Sequence, residues 1–267
     1  MIRLLATDVD YTLYDSKRKG ISERNIEAIK KLQDKGVYVV LASSRVLTGM
    51  KTIIDLLDLE KPLEYIVANN GAEIYEVKDY FKCKNISFSI KDIISFVELA
   101  KEYQVNFSVC QDDYSLVTGV DKFLEFDFFD VGVDLYWVHD IVSKIERPIY
   151  RCAFTGNESK ISNLSKEMEK RFSGKYYFNM PIPGSLDVSK FGVSKASGVL
   201  EIANVLGISK DEIACIGDGD NDIPMFNIAK ISACVGNGSD KAKTSATYVV
   251  DTCENDGFAQ FVENYIL

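Results

Sequence analysis

Short apolar segments that end at once in polar residues constrain the fold of this chain more than any other feature. IRLLA runs into Asp8 and Asp10, VYVVLA into Ser43, YIVA into Asn70 and its neighbour, and EIACIG into Asp218. Each run is too short for a helix and is almost entirely apolar, which is typical of a strand buried on both faces of a sheet.

Helix-length segments separate these runs. Ser22 is predicted to cap the first helix, which the sequence DKG at 34–36 ends. A second helix is predicted at about residues 48–57, and SKASGVLEIANVLGIS predicts another that Lys195 opens. Strands that alternate with helices indicate βαβ units, so we expect an α/β fold with a parallel sheet.

The region from residue 84 to 184 has a different pattern. Aromatic strand-like segments such as YQVNFSVC are interleaved there with polar amphipathic helices such as ESKISNLSKEMEKRF. This predicts a smaller α+β domain inserted into a core that residues 1–83 and 185–267 form. Gly184 is the predicted point of return to the core.

Composition narrows the possible partners. The formal net charge of −9 argues against a nucleic acid or an anionic membrane as a partner, since both require a basic surface. The sequence has no long apolar run that would span a membrane and no secretory h-region at its start, so a cytoplasmic protein is expected. The six cysteines are scattered, and the single histidine, His139, excludes a histidine-rich metal site. The oligomeric state is not predicted.

Polar groups at the carboxyl ends of parallel strands meet at one edge of the sheet. Carboxylates, hydroxyls, an amide and a lysine there suit phosphoryl transfer to a carboxylate assisted by a hard cation such as Mg²⁺. Taken singly, each motif has an ordinary explanation. The Asp-x-Asp and Asn-Gly pairs occur in turns, serines cap helices, Lys195 at a helix start is commonly solvated, and GDGDND resembles a turn or a calcium loop. Because all of these motifs lie at the end of a predicted strand or the start of a predicted helix, together they favour a functional site.

The motifs DVDYT, LASSR, the lysine of GVSK and GDGDNDIPMF resemble the four motifs of the haloacid dehalogenase superfamily. NNGAEIY and VGNGSDKAK resemble its Cof-type branch of sugar-phosphatase-like hydrolases, which carry an α/β (C2-type) cap between the second and third motifs. The resemblance implies a Rossmann-like parallel-sheet core, with the inserted domain as a cap that selects the substrate.

The resemblance also implies roles for individual residues. Asp8 would attack phosphorus and form an aspartyl-phosphate, and Asp10 would act as general acid and base. The residues implied in phosphate or substrate binding are Ser43, Ser44, Lys195, Asn221 and Asn70. The residues implied in Mg²⁺ binding are Asp8, Asp10 through its backbone carbonyl, Asp218 and, in support, Asp222.

Two positions depart from the Cof-type pattern. Tyr11 stands where that branch favours glycine, and it is expected to narrow the entrance or to contact the substrate. Ser44 also replaces a glycine and lacks its backbone freedom, which leaves the shape of that loop open.

The predicted function is a Mg²⁺-dependent phosphatase for a small phosphorylated metabolite, a sugar phosphate by the resemblance. A phosphomutase of the phosphomannomutase type and, third, a non-catalytic phosphometabolite sensor stay as alternatives. Arg45 is expected either at the phosphate or in a salt bridge between the domains. The aromatic stretch FLEFDFFDVGVDLYWVHD either offers a sugar-stacking ring such as Trp137 or, as its alternating spacing favours, forms the core of the insert.

Overall fold

The computed structural model describes residues 1–59, 61, 63–111, 114–124, 133–180 and 182–267. The chain divides into two compact units. The first consists of residues 1–44, 50–84 and 194–267, and the second of residues 45–49 and 85–193.

The first unit is built on an eight-stranded sheet in the order β14-β13-β12-β1-β2-β3-β4-β5. Its strands are β1 (Leu4–Thr7), β2 (Tyr38–Ala42), β3 (Tyr65–Ala68), β4 (Glu73–Glu76), β5 (Phe81–Asn85), β12 (Ile213–Gly217), β13 (Ile231–Cys234) and β14 (Tyr248–Val249). The pairs from β14 to β3 are parallel and β4 is antiparallel to β3. The predicted α/β fold with a parallel sheet is confirmed.

Helices follow most of these strands. They are α1 (Glu23–Asp34), α2 (Leu47–Leu57), α5 (Lys195–Val205), α6 (Ile223–Ile228), α7 (Asp240–Ser245) and α8 (Gly257–Tyr265). The side chain of Ser22 accepts the N–H of Asn25 and caps α1 as predicted, and Gly36 follows the helix with a φ of 75°. Helix α5 begins at Lys195, as predicted.

The core of the first unit explains why its strands lack polar alternation. All four residues of β1 are buried, and two of them, Leu4 and Ala6, pack with apolar residues of β2 and of α5. The chain runs from β1 towards β3 in one direction and from β12 towards β14 in the other. The order therefore reverses between β1 and β12, and ligands of such sheets bind at the carboxyl ends of the strands at that point.

The second unit is built on a six-stranded sheet in the order β10-β11-β9-β6-β7-β8. Its elements are α3 (Ile90–Tyr103), β6 (Asn106–Gln111), β7 (Tyr114–Val117), β8 (Asp134–Trp137), β9 (Arg151–Thr155), α4 (Glu158–Phe172), β10 (Tyr176–Asn179) and β11 (Ser185–Lys190). Four of the five strand pairs are antiparallel, and the pair of β7 and β8 is parallel. A cluster of aromatic rings around Phe96 fills its core.

The second unit ends later than the predicted insert. Strand β11 pairs with β9 and β10, so the unit continues to Val193 instead of ending at residue 184. The prediction missed this because the partners of β11 lie far from it along the chain.

The interpretation of the aromatic stretch as the core of the insert is wrong for two of its rings. Tyr136 and Trp137 are 54% and 65% exposed, because β8 lies at the end of the sheet order. The indole N–H of Trp137 donates to the carbonyl of Thr118 at 3.1 Å. Residues 125–132 of that stretch lie outside the described residues.

Two further expectations concern residue types. All six cysteines are free, and five of them are buried. His139 is exposed. Within the described residues, no helix combines the length and the apolar character that crossing a membrane requires.

Candidate active site

A tight turn after β1 arranges the first two acids. The N–H of Asp8 still pairs with the carbonyl of Ile216 in β12 at 2.9 Å, so Asp8 continues the strand. The carbonyl of Val9 then accepts the N–H of Leu13 at 3.0 Å and that of Tyr14 at 2.8 Å, which closes the turn. Asp8 is buried, and Asp10 in the turn is half-buried.

Lys195 lies between two carboxylates. Its Nζ is 2.5 Å from Oδ1 of Asp8 and 2.7 Å from Oδ1 of Asp222, and its side chain is only 2% exposed. The hydroxyl of Ser194 accepts the N–H of Ser197 and caps α5, so the first turn of the helix fixes the start of the lysine side chain. A buried ammonium of this kind is stable only beside opposite charges.

The loop after β12 is built around Asp222. Its Oδ2 accepts the N–H groups of Asp218 and Gly219, each at 2.9 Å. A Cβ at Gly217 would lie 2.4 Å from the carboxylate carbon of Asp222, so glycine is required for this close approach. Asp222 thus has two contacts: it shapes the loop that carries Asp218, and it pairs with Lys195.

Three carboxylates form a group that suits a cation. Oxygens of Asp8, Asp218 and Asp222 lie within 4.8 Å of one another. Such a hard, anionic oxygen set is what Mg²⁺ prefers. The side chain of Asp10 is not a member of this group.

The electrostatics of the group follow from burial. Burial, followed by the charge of Asp222, raises the pKa of Asp8 to about 6 against the opposing effect of Lys195. Burial and the carboxylates of Asp8 and Asp222 hold the pKa of Asp218 well above its ordinary value. Burial alone would lower the pKa of Lys195, but the two adjacent carboxylates outweigh it and raise that pKa. When all three carboxylates are ionised they outnumber the ammonium of Lys195, so a bound cation would offset the remaining negative charge.

A second side of the site comes from the ends of β2 and β3. The backbone carbonyl of Ser43 accepts the N–H of Asn70 at 2.9 Å, and Ser43 itself is buried. Oδ1 of Asn70 accepts a hydrogen bond from Nδ2 of Asn221 at 3.1 Å. The amides of Asn70 and Asn221 are therefore joined, although 151 residues separate them.

Tyr11 and Ser44, the two positions that depart from the Cof-type pattern, differ from each other in backbone conformation. Tyr11 has a φ of 60°, the left-handed conformation that favours glycine, and its side chain is 45% exposed. Ser44 does not have a positive φ, so the loop after β2 does not require glycine at this position. Arg45 is buried, and its Nη1 lies 3.5 Å from the carbonyl of Gly49.

Three residues around the site were not predicted to have a role. The hydroxyl of Thr12 donates to Oδ2 of Asp8 at 3.4 Å. Nδ2 of Asn237 donates to the carbonyl of Tyr11 at 2.8 Å and thereby holds its unusual backbone conformation. Glu73 is buried beside the Asn-Asn-Gly turn. All three lie within motifs that resemble the family, DVDYT, VGNGSDKAK and NNGAEIY, but an acid at the start of a short strand does not by itself indicate a buried role.

Comparisons with known proteins agree with this geometry. The family model of haloacid dehalogenase-like hydrolases matches residues 5–262. A 5-amino-6-(5-phospho-D-ribitylamino)uracil phosphatase of Bacillus subtilis is 26% identical over 267 residues, covering 100% of this chain and 96% of that protein. A second Bacillus subtilis protein, also named a 5-amino-6-(5-phospho-D-ribitylamino)uracil phosphatase, is 25% identical, and the match covers 98% of this chain and 97% of that protein.

Solved structures give the same result. A haloacid dehalogenase-like hydrolase from Bacteroides thetaiotaomicron is 25% identical with a TM-score of 0.87, covering 98% of this chain and 99% of that one. A phosphatase of the same superfamily and organism is 27% identical with a TM-score of 0.85, covering 98% and 94%. These names agree with the predicted enzyme class, a phosphatase. The match over nearly the whole chain shows that this protein belongs to the haloacid dehalogenase-like hydrolases.

Proposed function

We propose that this protein is a Mg²⁺-dependent phosphatase that hydrolyses a small phosphorylated sugar or polyol through an aspartyl-phosphate on Asp8. The observation that carries the proposal is the contact of Lys195 with both Asp8 and Asp222. It brings a nucleophile and a phosphate-binding cation together in a buried place at the switch point of the sheet.

In the first step, an Oδ atom of Asp8 attacks phosphorus and the bond from phosphorus to the leaving oxygen breaks. Asp10 donates a proton to that oxygen, so the product leaves as an alcohol. Lys195 and the hydroxyl of Ser43 hold the phosphate oxygens. Because Lys195 keeps its proton beside two carboxylates, it offsets the charge that accumulates on the transferring group.

In the second step, a water molecule attacks the phosphorus of the aspartyl-phosphate. Asp10, now a carboxylate, accepts a proton from this water, and the bond from phosphorus to Asp8 breaks. The products are inorganic phosphate and the Asp8 carboxylate, and Asp10 has regained its proton. One acid thus serves both steps.

The donor set of Asp8 and Asp218, with Asp222 in support, fits Mg²⁺, since its oxygens lie within 4.8 Å of one another. A bound Mg²⁺ would neutralise the repulsion between an anionic nucleophile and an anionic phosphate. Asp222 would act mainly through the loop, because its Oδ2 accepts two backbone N–H groups.

The proposed substrate class follows from the relatives. Two Bacillus subtilis relatives are named for a phosphate ester on a ribityl chain, a five-carbon polyol. We therefore place phosphorylated polyols and pentoses first in a substrate screen. The second unit is proposed to determine which leaving group the enzyme accepts.

The test is phosphate release from p-nitrophenyl phosphate and from a panel of sugar, polyol and nucleotide monophosphates. We expect activity that requires Mg²⁺, is abolished by EDTA and is lost in Asp8→Asn. Full activity of Asp8→Asn would contradict the mechanism. Transfer of phosphate between the 1 and 6 positions of a hexose, without net release, would instead indicate a mutase.

A further inference from the structure

A buried carboxylate outside the metal group forms its own network. Glu73, the first residue of β4, is fully buried. Its Oε1 accepts the hydroxyl of Tyr75 at 2.6 Å and pairs with Nζ of Lys82 at 2.6 Å. Its Oε2 accepts Nδ2 of Asn69 at 2.5 Å. All three partners donate to this carboxylate, so both of its oxygens act as acceptors in the network.

The network holds an unusual turn. Asn69 and Asn70 both have positive φ angles, of 49° and 54°. Residues with a Cβ take this conformation at a cost, and two in succession persist only where their surroundings determine them. The hydrogen bond from Asn69 to Glu73 fixes the first of them. Glu73 therefore stabilises the conformation of the turn at 69–71.

That turn contacts three other parts of the site. The N–H of Asn70 donates to the carbonyl of Ser43, and its side chain accepts from Asn221. A Cβ at Gly71 would lie 2.0 Å from the carbonyl oxygen of Ser194, so the turn packs directly against the residue before Lys195. A shift of the turn would displace groups on all three segments.

We propose that Glu73 is a positioning residue, which sets the turn at 69–71 and through it the amide of Asn70 and the start of α5. This role rests on the proposed function, because it requires the site beside the turn to bind phosphate. Glu73 does not touch the reacting atoms. It acts through Asn69.

The test is Glu73→Gln, with Glu76→Gln as a matched control. The amide keeps the size of the side chain but turns an N–H₂ group towards a donor in either orientation. Glu76 lies in the same strand and is only half-buried. We expect Glu73→Gln to raise KM for p-nitrophenyl phosphate and to weaken inhibition by inorganic phosphate about tenfold, the equivalent of about 1.4 kcal/mol. Glu76→Gln should change neither.

A second variant separates positioning from folding. Asn69→Gly removes the amide that links Glu73 to the turn, and glycine, which adopts many φ values, does not hold the turn near 49°. We expect a similar rise in KM, and no further rise in the double variant, because both changes break one interaction. If Glu73→Gln does not fold, Asn69→Gly alone still tests the link.

Two results would overturn the role of Glu73. One is a KM and a phosphate inhibition that stay within twofold of wild type in both variants, even if thermal unfolding shifts. The other is additive effects in the double variant, which would mean that Glu73 does not act through Asn69. Absence of phosphate release by the wild-type protein contradicts the proposed function instead, so the two failures are distinguishable.

Discussion

Replacing Lys195 by methionine tests the electrostatic account of the site. The ammonium is 2% exposed and lies 2.5 Å and 2.7 Å from Asp8 and Asp222. Methionine fills much of its volume but leaves these buried carboxylates, with Asp218 beside them, without a cation. Removing one partner of a buried ion pair costs about 3–5 kcal/mol. We therefore expect Lys195→Met to unfold about 10 °C below wild type in Mg²⁺-free buffer near pH 7.5.

The assay is thermal unfolding followed by circular dichroism, with two controls. Lys241→Met removes an exposed lysine 3.2 Å from Asp220 and should cost less than about 1 kcal/mol. Lys195→Met combined with Asp222→Asn removes one of the unpaired carboxylates, so it should be more stable than Lys195→Met alone. A melting temperature of Lys195→Met within about 2 °C of wild type would refute the reasoning, given that scale.

Three further predictions concern single residues. Tyr11→Gly should change the free energy of unfolding in urea by less than about 1 kcal/mol, because relief of the left-handed backbone offsets the greater freedom of unfolded glycine; a larger loss would contradict this. Asn25→Ala should lower the free energy of unfolding by about 1–3 kcal/mol, since Oδ1 of Asn25 accepts the buried N–H of Ala259 at 3.0 Å. An unchanged urea midpoint would contradict this prediction. Burial, with the hydrogen bond to Asp92, raises the pKa of Tyr176 to about 12. The protonated hydroxyl of Tyr176 therefore stabilises the fold fully below about pH 10, the pKa of tyrosine in the unfolded chain, and this contribution is lost as the pH rises through about 12. Urea titrations of Tyr176→Phe should not show this loss of stability at alkaline pH.

The parts of the fold that local physics determines were predictable from the sequence. The apolar runs located β1 and gave β2 to within one residue, and the amphipathic pattern gave α4 at its observed bounds. The hydroxyl of Ser22 marked the start of α1 because capping depends on neighbours only three residues away. Periodicity and capping are local properties, so one sequence suffices to find them.

The parts that depend on distant partners were not predictable. Strand β11 belongs to the second unit because of β9 and β10, and nothing within its own six residues indicates this. Trp137 is exposed because its strand ends the sheet, whereas its spacing suggested a buried ring. Glu73 is an acid in a short strand, which usually indicates an exposed position. Its three donors lie within nine residues along the chain, but no periodic pattern indicates that they converge on its carboxylate.

The candidate site shows the same division. The strand ends identified Asp8 and Asp218, because parallel topology alone brings them together. The lysine that joins Asp8 to Asp222 lies 187 residues from Asp8. The strand and helix ends placed it near the acids, whereas its role in holding phosphate came from the motif resemblance. The catalytic roles of these residues stay predictions that experiments on the protein must test.

Trapping the covalent intermediate tests the central claim most directly. Asp10→Asn should still accept phosphate from p-nitrophenyl phosphate, whose leaving group needs little acid assistance, but should hydrolyse the intermediate slowly. Mass spectrometry after rapid acid quenching is expected to find phosphate on Asp8 in this variant, and none when Asp8→Asn is added. Phosphate on another residue, or no phosphoenzyme together with full activity of Asp8→Asn, would contradict the account.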